Sequence, residues 1–130
     1  MLATEVDRGN IEKMVRSFYE RIVEDDVVGP YFTKALGEDL KNDKWYDHHR
    51  TLDKFWLMMM TGEKGYAGDP FLPHVFIGKL YPETFDRWLE LFDEVVNQHF
   101  TPEISQKFYK KAEILSKKFI DMLEEFEEDE

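Results

Sequence analysis

The side chains best suited to chemistry in this sequence are its four histidines, His48, His49, His74 and His99. The chain has no cysteine, which excludes disulfides, thiolate zinc sites, iron–sulfur clusters and a covalent c-type haem link. A metal must therefore be held by histidine or carboxylate, or arrive inside a cofactor. No histidine has a glutamate three residues before it, so the Glu-x-x-His pairs of di-iron bundles are absent. Zinc-protease, acyl-transfer and phosphate-loop motifs are absent as well.

Two of the histidines have surroundings that suit a flat, apolar cofactor with a metal at its centre. His48 falls on the apolar face of a predicted helix, and His74 stands in a segment rich in proline and glycine. A haem requires one neutral imidazole on its iron, aromatic walls that exclude water, and a few polar donors on the opposite face. Haem fits these residues better than other cofactors do. A histidine on an apolar face is more often a core residue, so spacing alone leaves both interpretations open.

Apolar side chains recur three and four residues apart in four segments, which predicts an all-α fold without strands. The first predicted helix spans 10–26, has Asn10 as its N-cap and ends at Gly29-Pro30. A polar loop with at most a short helical turn is expected over 31–43. The buried stripe predicted for the first helix is Ile11, Met14, Val15, Phe18, Tyr19 and Ile22.

The remaining predicted helices follow the same periodicity. The stripe of the second is Trp45, His48, Leu52, Phe55, Trp56 and Met59, and that of the third is Phe85, Trp88, Leu89, Phe92, Val95 and Val96. Residues 62–82 hold four of the seven glycines and three of the five prolines, which predicts a long, functional connection. Thr101 is expected to cap the fourth helix, with Pro102 at its first position. Its predicted stripe is Ile104, Phe108, Leu115, Phe119, Met122 and Phe126.

Composition predicts one compact domain over residues 1–130, because 11 Phe, 6 Tyr and 3 Trp are too many for a disordered chain. The net charge of −11 repels phosphate, so no nucleic-acid partner is expected. Much of that charge lies in 124–130, which we expect to be a frayed, solvated end. The longest apolar run, Phe55–Met60, is too short to span a membrane. A cytoplasmic, monomeric protein without a membrane partner is expected.

Seven features in register along the whole chain resemble a truncated haemoglobin. They are Phe18-Tyr19, Asp25, Gly29-Pro30 with Phe32, Trp45-x-x-His48, Phe55-Trp56, His74 about twenty-six residues after His48, and Trp88-Leu89-x-Leu91-Phe92. Members of groups I and II usually carry paired glycines, and this sequence has no Gly-Gly pair. Together with His48, Trp56 and Trp88, that absence makes the chain most similar to group III.

The resemblance implies a 2-over-2 helical sandwich that encloses haem b, iron protoporphyrin IX. It makes His74 the proximal iron ligand and places the sixth coordination position on the side of Tyr19, His48 and Trp88. Phe32 is then expected to pack against the haem face, and Leu52 is expected to narrow the distal pocket. All of these residues are the candidate cofactor-binding set: Tyr19, Phe32, His48, Leu52, His74 and Trp88.

The residue types agree with those roles. Dioxygen on ferrous haem carries partial negative charge, which the Tyr19 hydroxyl and the Trp88 indole N–H could stabilise as donors. Each could equally be a core residue with a hydrogen-bonded tip. His48 could contact the ligand, swing outward as a gate, or bind the iron itself. His49 points about 100° away from His48 on the helix and is expected on the surface.

Four further polar residues lie outside the candidate cofactor-binding set. His99, near a helix end, is expected to be a partner of the helix dipole, with no further function. Arg50, Lys54 and Lys79 are the cations nearest to the proposed ligating segments, and they are either propionate partners or solvated surface charges.

The function expected from the resemblance is binding of O2, NO and CO at a haem iron. Several distal donors slow release, which favours chemistry on O2, NO or peroxide, or sensing, over bulk oxygen transport. A peroxidase-like or NO-detoxifying turnover would need electrons from a separate reductase. The alternative is a cofactor-free helical interaction module with structural histidines, which would be colourless. An enzyme with its own metal site lacks the necessary ligand spacing.

Overall fold

The computed structural model of the protein describes residues 1–66 and 81–128, with side chains as far as Glu124. In these ranges the chain forms five α-helices and no named strand. The helices are α1 (Arg8–Val23), α2 (Gly29–Leu36), α3 (Asp43–Thr61), α4 (Pro82–His99) and α5 (Pro102–Glu128). The predicted all-α fold is confirmed. No helix in the described ranges is both long enough and apolar enough to cross a membrane.

The helices pack as two pairs. Helix α1 packs against α2, α3 and α4, while α4 packs along α5, and α5 also contacts α3. The α1–α3 pair therefore lies on the α4–α5 pair, in the 2-over-2 arrangement that the resemblance implies. Trp56 of α3 stacks on Phe92 of α4 with ring centroids 4.9 Å apart, and the fully buried Phe108 of α5 packs beside both. Because burying one such ring contributes about 1.5–3 kcal/mol, this aromatic layer holds the pairs together.

The N-terminal segment closes the corner between α4 and α5. The backbone N–H of Ala3 donates to the carbonyl of His99 at 2.9 Å, and the N–H of Thr101 donates to the carbonyl of Ala3 at 3.1 Å. The buried hydroxyl of Ser105 donates to the carbonyl of Phe100 at 3.2 Å. These bonds satisfy backbone groups at the end of α4 and fix how α5 departs from it.

The boundary between α1 and α2 differs from the prediction. Helix α1 begins earlier than expected, because Asp7 is its N-cap and accepts the N–H of Asn10 at 2.8 Å. It ends at Val23, and Gly29-Pro30 opens α2 instead of closing α1. Proline is tolerated there because an N–H in the first helical turn has no partner within the helix. The first half of the predicted loop after Gly29-Pro30 is therefore helical.

Helix α5 begins at Pro102 as predicted, but its buried face is rotated from the predicted stripe. The buried positions are Ser105, Phe108, Ala112 and Ser116, whereas Ile104, Leu115, Phe119 and Met122 are only partly buried. Small side chains on this face let α5 approach α4 closely. A pattern based on large apolar residues misses such a face. The acidic end, expected to be frayed, continues α5 as far as Glu128.

Candidate functional site

Three of the candidate residues meet where α1, α2 and α3 converge. Tyr19 of α1 is 5% exposed, and its ring lies edge-on to that of His48 of α3, with centroids 4.9 Å apart. Phe32 of α2 completes the group, with its ring centroid 5.3 Å from that of Tyr19 and 6.1 Å from that of His48. Although far apart in sequence, these side chains form one continuous aromatic wall that consists of Tyr19, Phe32 and His48. The wall carries a phenol and an imidazole.

Trp45 lies at the centre of this wall, whereas the sequence pattern predicted it only as a member of the apolar stripe of its helix. Its side chain is fully buried, and its ring centroid lies 5.7 Å from those of Tyr19 and His48. The indole N–H donates to the carbonyl of Gly37 at 2.7 Å, and the backbone N–H donates to the Asn42 side chain at 2.9 Å. Trp45 therefore ties the α2–α3 corner to the start of α3, which positions the wall.

Gly37 is the backbone element that makes this corner possible. Its φ is +95°, a conformation that side chains other than glycine rarely adopt, and an added Cβ would lie 2.8 Å from the Asn42 amide nitrogen. That same amide donates to the carbonyl of Leu36 at 2.8 Å, at the end of α2. The turn between α2 and α3 is consequently short and closely bonded.

Trp88 of α4 reaches this wall through Phe18 of α1. Its ring stacks on Phe92 at 5.1 Å with an interplanar angle of 7°, and it meets Phe18 edge-on at 5.3 Å. Phe18 in turn lies 5.1 Å from Tyr19. Among the described residues no ring contact joins Trp88 directly to Tyr19 or His48. Leu52 of α3 is partly buried and packs against the core.

Burial determines the protonation state of Tyr19. The pKa of its hydroxyl is raised well above the usual range because the side chain is removed from water. The phenol keeps its proton throughout the physiological range and is a permanent hydrogen-bond donor.

His49 is not on the surface, and that prediction is wrong. Its side chain is partly buried, with its ring centroid 5.7 Å from those of Tyr19 and Trp45. The Nε2 atom is buried and has no hydrogen-bond partner among the described residues. Burial and the charge of Arg16 lower the pKa of His49 to about 4, so it is neutral at pH 7. Because α1 packs closely on α3, a side chain 100° from His48 still faces α1.

Four predicted residues remain, of which two lie outside the described part of the chain and two are exposed. His74 and Lys79 lie outside the described residues. Arg50 and Lys54 are exposed, and the Arg50 guanidinium lies 5.7 Å from the centroid of the Tyr46 ring.

His99 is the last residue of α4, which confirms its predicted position near a helix end. Burial and the charge of Lys13 lower the pKa of His99, so its imidazole is neutral at pH 7.

The described side of the site fits one face of a haem. It offers a buried phenol and a partly buried imidazole set in aromatic rings, the combination of apolar walls and few donors that a haem pocket needs. Within the described part of the chain, no three His, Asp or Glu side chains converge as ligands for a bare metal ion. A haem needs only one protein ligand to its iron, the role that the resemblance implies for His74.

Comparisons with known proteins agree with this fit, although no family model matches the chain. The chain is 30% identical over 118 residues to the protein named group 3 truncated hemoglobin ctb of Campylobacter jejuni. The aligned residues cover 91% of each of the two chains. It also resembles the crystal structure of group III truncated hemoglobin from Campylobacter jejuni, with a TM-score of 0.87, 29% identity and 95% of both chains covered. On this evidence the chain belongs to the group III truncated haemoglobin family.

Proposed function

We propose that this protein holds haem b and uses it to bind a diatomic gas, O2, NO or CO, on the side of Tyr19, His48 and Trp88. Bound haem supplies an iron atom with one coordination position open to the gas. Membership of the family supports the haem, and the absence of cysteine supports haem b, since covalent attachment would need thiols. His74 is proposed as the iron ligand on the opposite face.

The observation that carries the proposal is the contact between Tyr19 and His48 inside an aromatic wall. Tyr19 is buried and keeps its proton, so its hydroxyl can donate to a polarised diatomic ligand without competition from water. Phe32 and Trp45 surround it with rings. A donor held in such dry surroundings stabilises developing negative charge more strongly than one in solvent does.

His48 is proposed as a second contact to the ligand. Its ring lies edge-on to both Tyr19 and Trp45, at interplanar angles of 81° and 83°. Packing from two sides supports an inward position for the imidazole, in preference to a gate that swings out to solvent.

Trp88 is proposed as a third donor, from the α4 side of the pocket. Its indole N–H can only donate, and its ring orientation is restricted by the stack on Phe92 and the edge contact with Phe18. Phe32 and Leu52 are proposed to exclude water from the same space.

Several donors around one bound gas slow its release, so we propose chemistry on O2, NO or peroxide, or sensing, in preference to bulk oxygen transport. A peroxidase-like or NO-detoxifying turnover would take electrons from a separate reductase. The test is the visible spectrum of the haem-supplied protein in ferric, reduced and CO-bound forms. A Soret band that shifts on reduction and again with CO is expected. A folded protein without a Soret band would remove the proposal and favour a cofactor-free helical module.

A further inference from the structure

Asp25 is a buried carboxylate in the connection between α1 and α2. One of its oxygens, Oδ2, accepts the backbone N–H groups of Val27 and Val28, each at 3.0 Å. Val28 is the N-cap residue of α2 and has no side chain that could bond the free N–H groups there. Asp25 therefore fixes the two residues that lead into α2, a helix start that has no side-chain cap.

The other oxygen of Asp25 binds α4. Oδ1 lies 2.8 Å from both Nε and Nη2 of Arg87. The Arg87 Nη1 atom donates to Glu90 at 2.9 Å, one turn along α4, which holds the guanidinium in place. The Asp25 side chain is only 6% exposed. A charge-assisted contact of this kind at a largely buried carboxylate is stronger than a surface ion pair.

The two elements joined by Asp25 and Arg87 carry opposite parts of the proposed pocket. Helix α2 carries Phe32, and Trp88 follows Arg87 directly on α4. The start of α2 has little room to shift, because a Cβ added at Gly29 would lie 2.9 Å from the carbonyl oxygen of Val23. Because this corner is closely packed, loss of the contact between Asp25 and Arg87 would release α4 at Arg87, directly beside Trp88.

We propose that Asp25 and Arg87 are positioning residues of the gas-binding pocket, whose ion pair sets where Trp88 stands relative to Tyr19 and Phe32. The inference rests on the proposed function. It predicts that breaking the pair weakens the hydrogen bond that Trp88 offers to a bound gas, without removing any group that touches the gas.

A matched control ion pair joins α1 to the same helix, α4. Arg21 of α1 and Glu94 of α4 also form an ion pair, but their closest atoms are 3.6 Å apart and both side chains are at least a third exposed. Such surface pairs contribute little. Arg21→Ala therefore removes an arginine between α1 and α4 without disturbing the buried carboxylate.

The experiment measures the C–O stretching frequency of the CO complex and the O2 dissociation rate in wild type, Arg87→Ala, Asp25→Asn, the double variant and Arg21→Ala. Loss of a nearby donor raises the C–O frequency. We expect a higher frequency and an O2 dissociation rate about fivefold faster in both single variants, equal to about 1 kcal/mol. The double variant should resemble the single variants, because both remove the same interaction. Arg21→Ala should match wild type.

The possible outcomes separate this proposal from the function on which it rests. A wild-type protein that forms no CO complex contradicts the proposed function. Wild-type frequency and rate in both single variants overturn the positioning role, even if the melting temperature falls. If Arg87→Ala fails to fold, the variants Asp25→Asn and Arg87→Lys provide the test of the positioning role. Arg87→Lys should fall between wild type and Asp25→Asn, because an ammonium keeps the charge but loses the two-nitrogen contact.

Discussion

The Tyr19 ring of α1 and the His48 ring of α3 lie edge to face, with centroids 4.9 Å apart and an interplanar angle of 81°. The contact unites a buried hydroxyl that stays protonated with an imidazole on the neighbouring helix. Phe32 and Trp45 pack around both. In the proposed function this arrangement presents donors to a diatomic gas from a wall in which Tyr19 and Trp45 are buried.

The first prediction concerns the proximal ligand. His74→Ala should fail to retain haem, because it removes the imidazole proposed to bind the iron, and added imidazole should restore haem binding. Haem titration followed in the Soret region measures this, with His99→Ala as the control histidine variant. Full haem retention and an unchanged spectrum in His74→Ala would contradict the assignment.

Trp45 should stabilise the fold through its hydrogen bond as well as its size. Trp45→Phe leaves the partly buried Gly37 carbonyl without its indole partner and removes ring volume. We expect a loss of about 2–4 kcal/mol in the free energy of unfolding. Urea denaturation measures it, with the exposed Tyr46→Phe as control. A loss of less than about 0.5 kcal/mol would show that Trp45 does not fix the corner.

Two glycine substitutions should have different effects on the stability of the fold. Gly29→Ala places a Cβ 2.9 Å from the Val23 carbonyl oxygen, so we expect destabilisation by about 1–3 kcal/mol. Gly9→Ala, in the first turn of α1, meets only an ordinary contact at 3.6 Å and should leave stability unchanged or raise it by up to about 1 kcal/mol. Thermal unfolding of both variants tests this. Equal effects in the two would argue against the tight α1–α2 corner.

His49 should make the protein sensitive to mild acid. Its folded pKa of about 4 lies below the usual value of 6.5, so between these values the unfolded chain binds more protons than the folded one. Stability therefore falls as pH drops from about 6.5 to 4, and the partial burial of His49 limits this loss to about 1–3 kcal/mol. His49→Gln should flatten the dependence in that window. Parallel curves for both proteins there would show that His49 does not cause it.

Much of the fold followed from periodicity, and its failures have physical causes. Every residue of the predicted α1 stripe is buried, because large apolar side chains every three to four residues must face the core. Gly29-Pro30 suits either the end or the start of a helix, and the hydrogen bonds of Asp25 to the two residues just before α2 distinguish these possibilities. The buried face of α5 was missed because its serines are polar and do not appear in a pattern of apolar residues.

The candidate residues came from the sequence and the family resemblance, whereas their arrangement could not be predicted. Periodicity shows which face of a helix is apolar, whereas the contact between Tyr19 and His48 depends on how α1 and α3 cross. The family resemblance indicated which residues correspond to the haem-pocket positions of the family. The spacing of residues alone could not indicate this. The hydrogen bond of Trp45 and the burial of His49 were missed because both depend on how the helices pack, although the sequence placed Trp45 on the same face as His48.

The most direct test of the central claim is the O2 dissociation rate of Tyr19→Phe beside that of wild type. Removing the hydroxyl deletes one donor and keeps the ring, so the rate should rise by a factor equivalent to about 1–3 kcal/mol, roughly five- to 150-fold. Tyr46→Phe, which removes an exposed hydroxyl from α3, should leave the rate unchanged. An unchanged rate in Tyr19→Phe would contradict the role of Tyr19 in binding the gas.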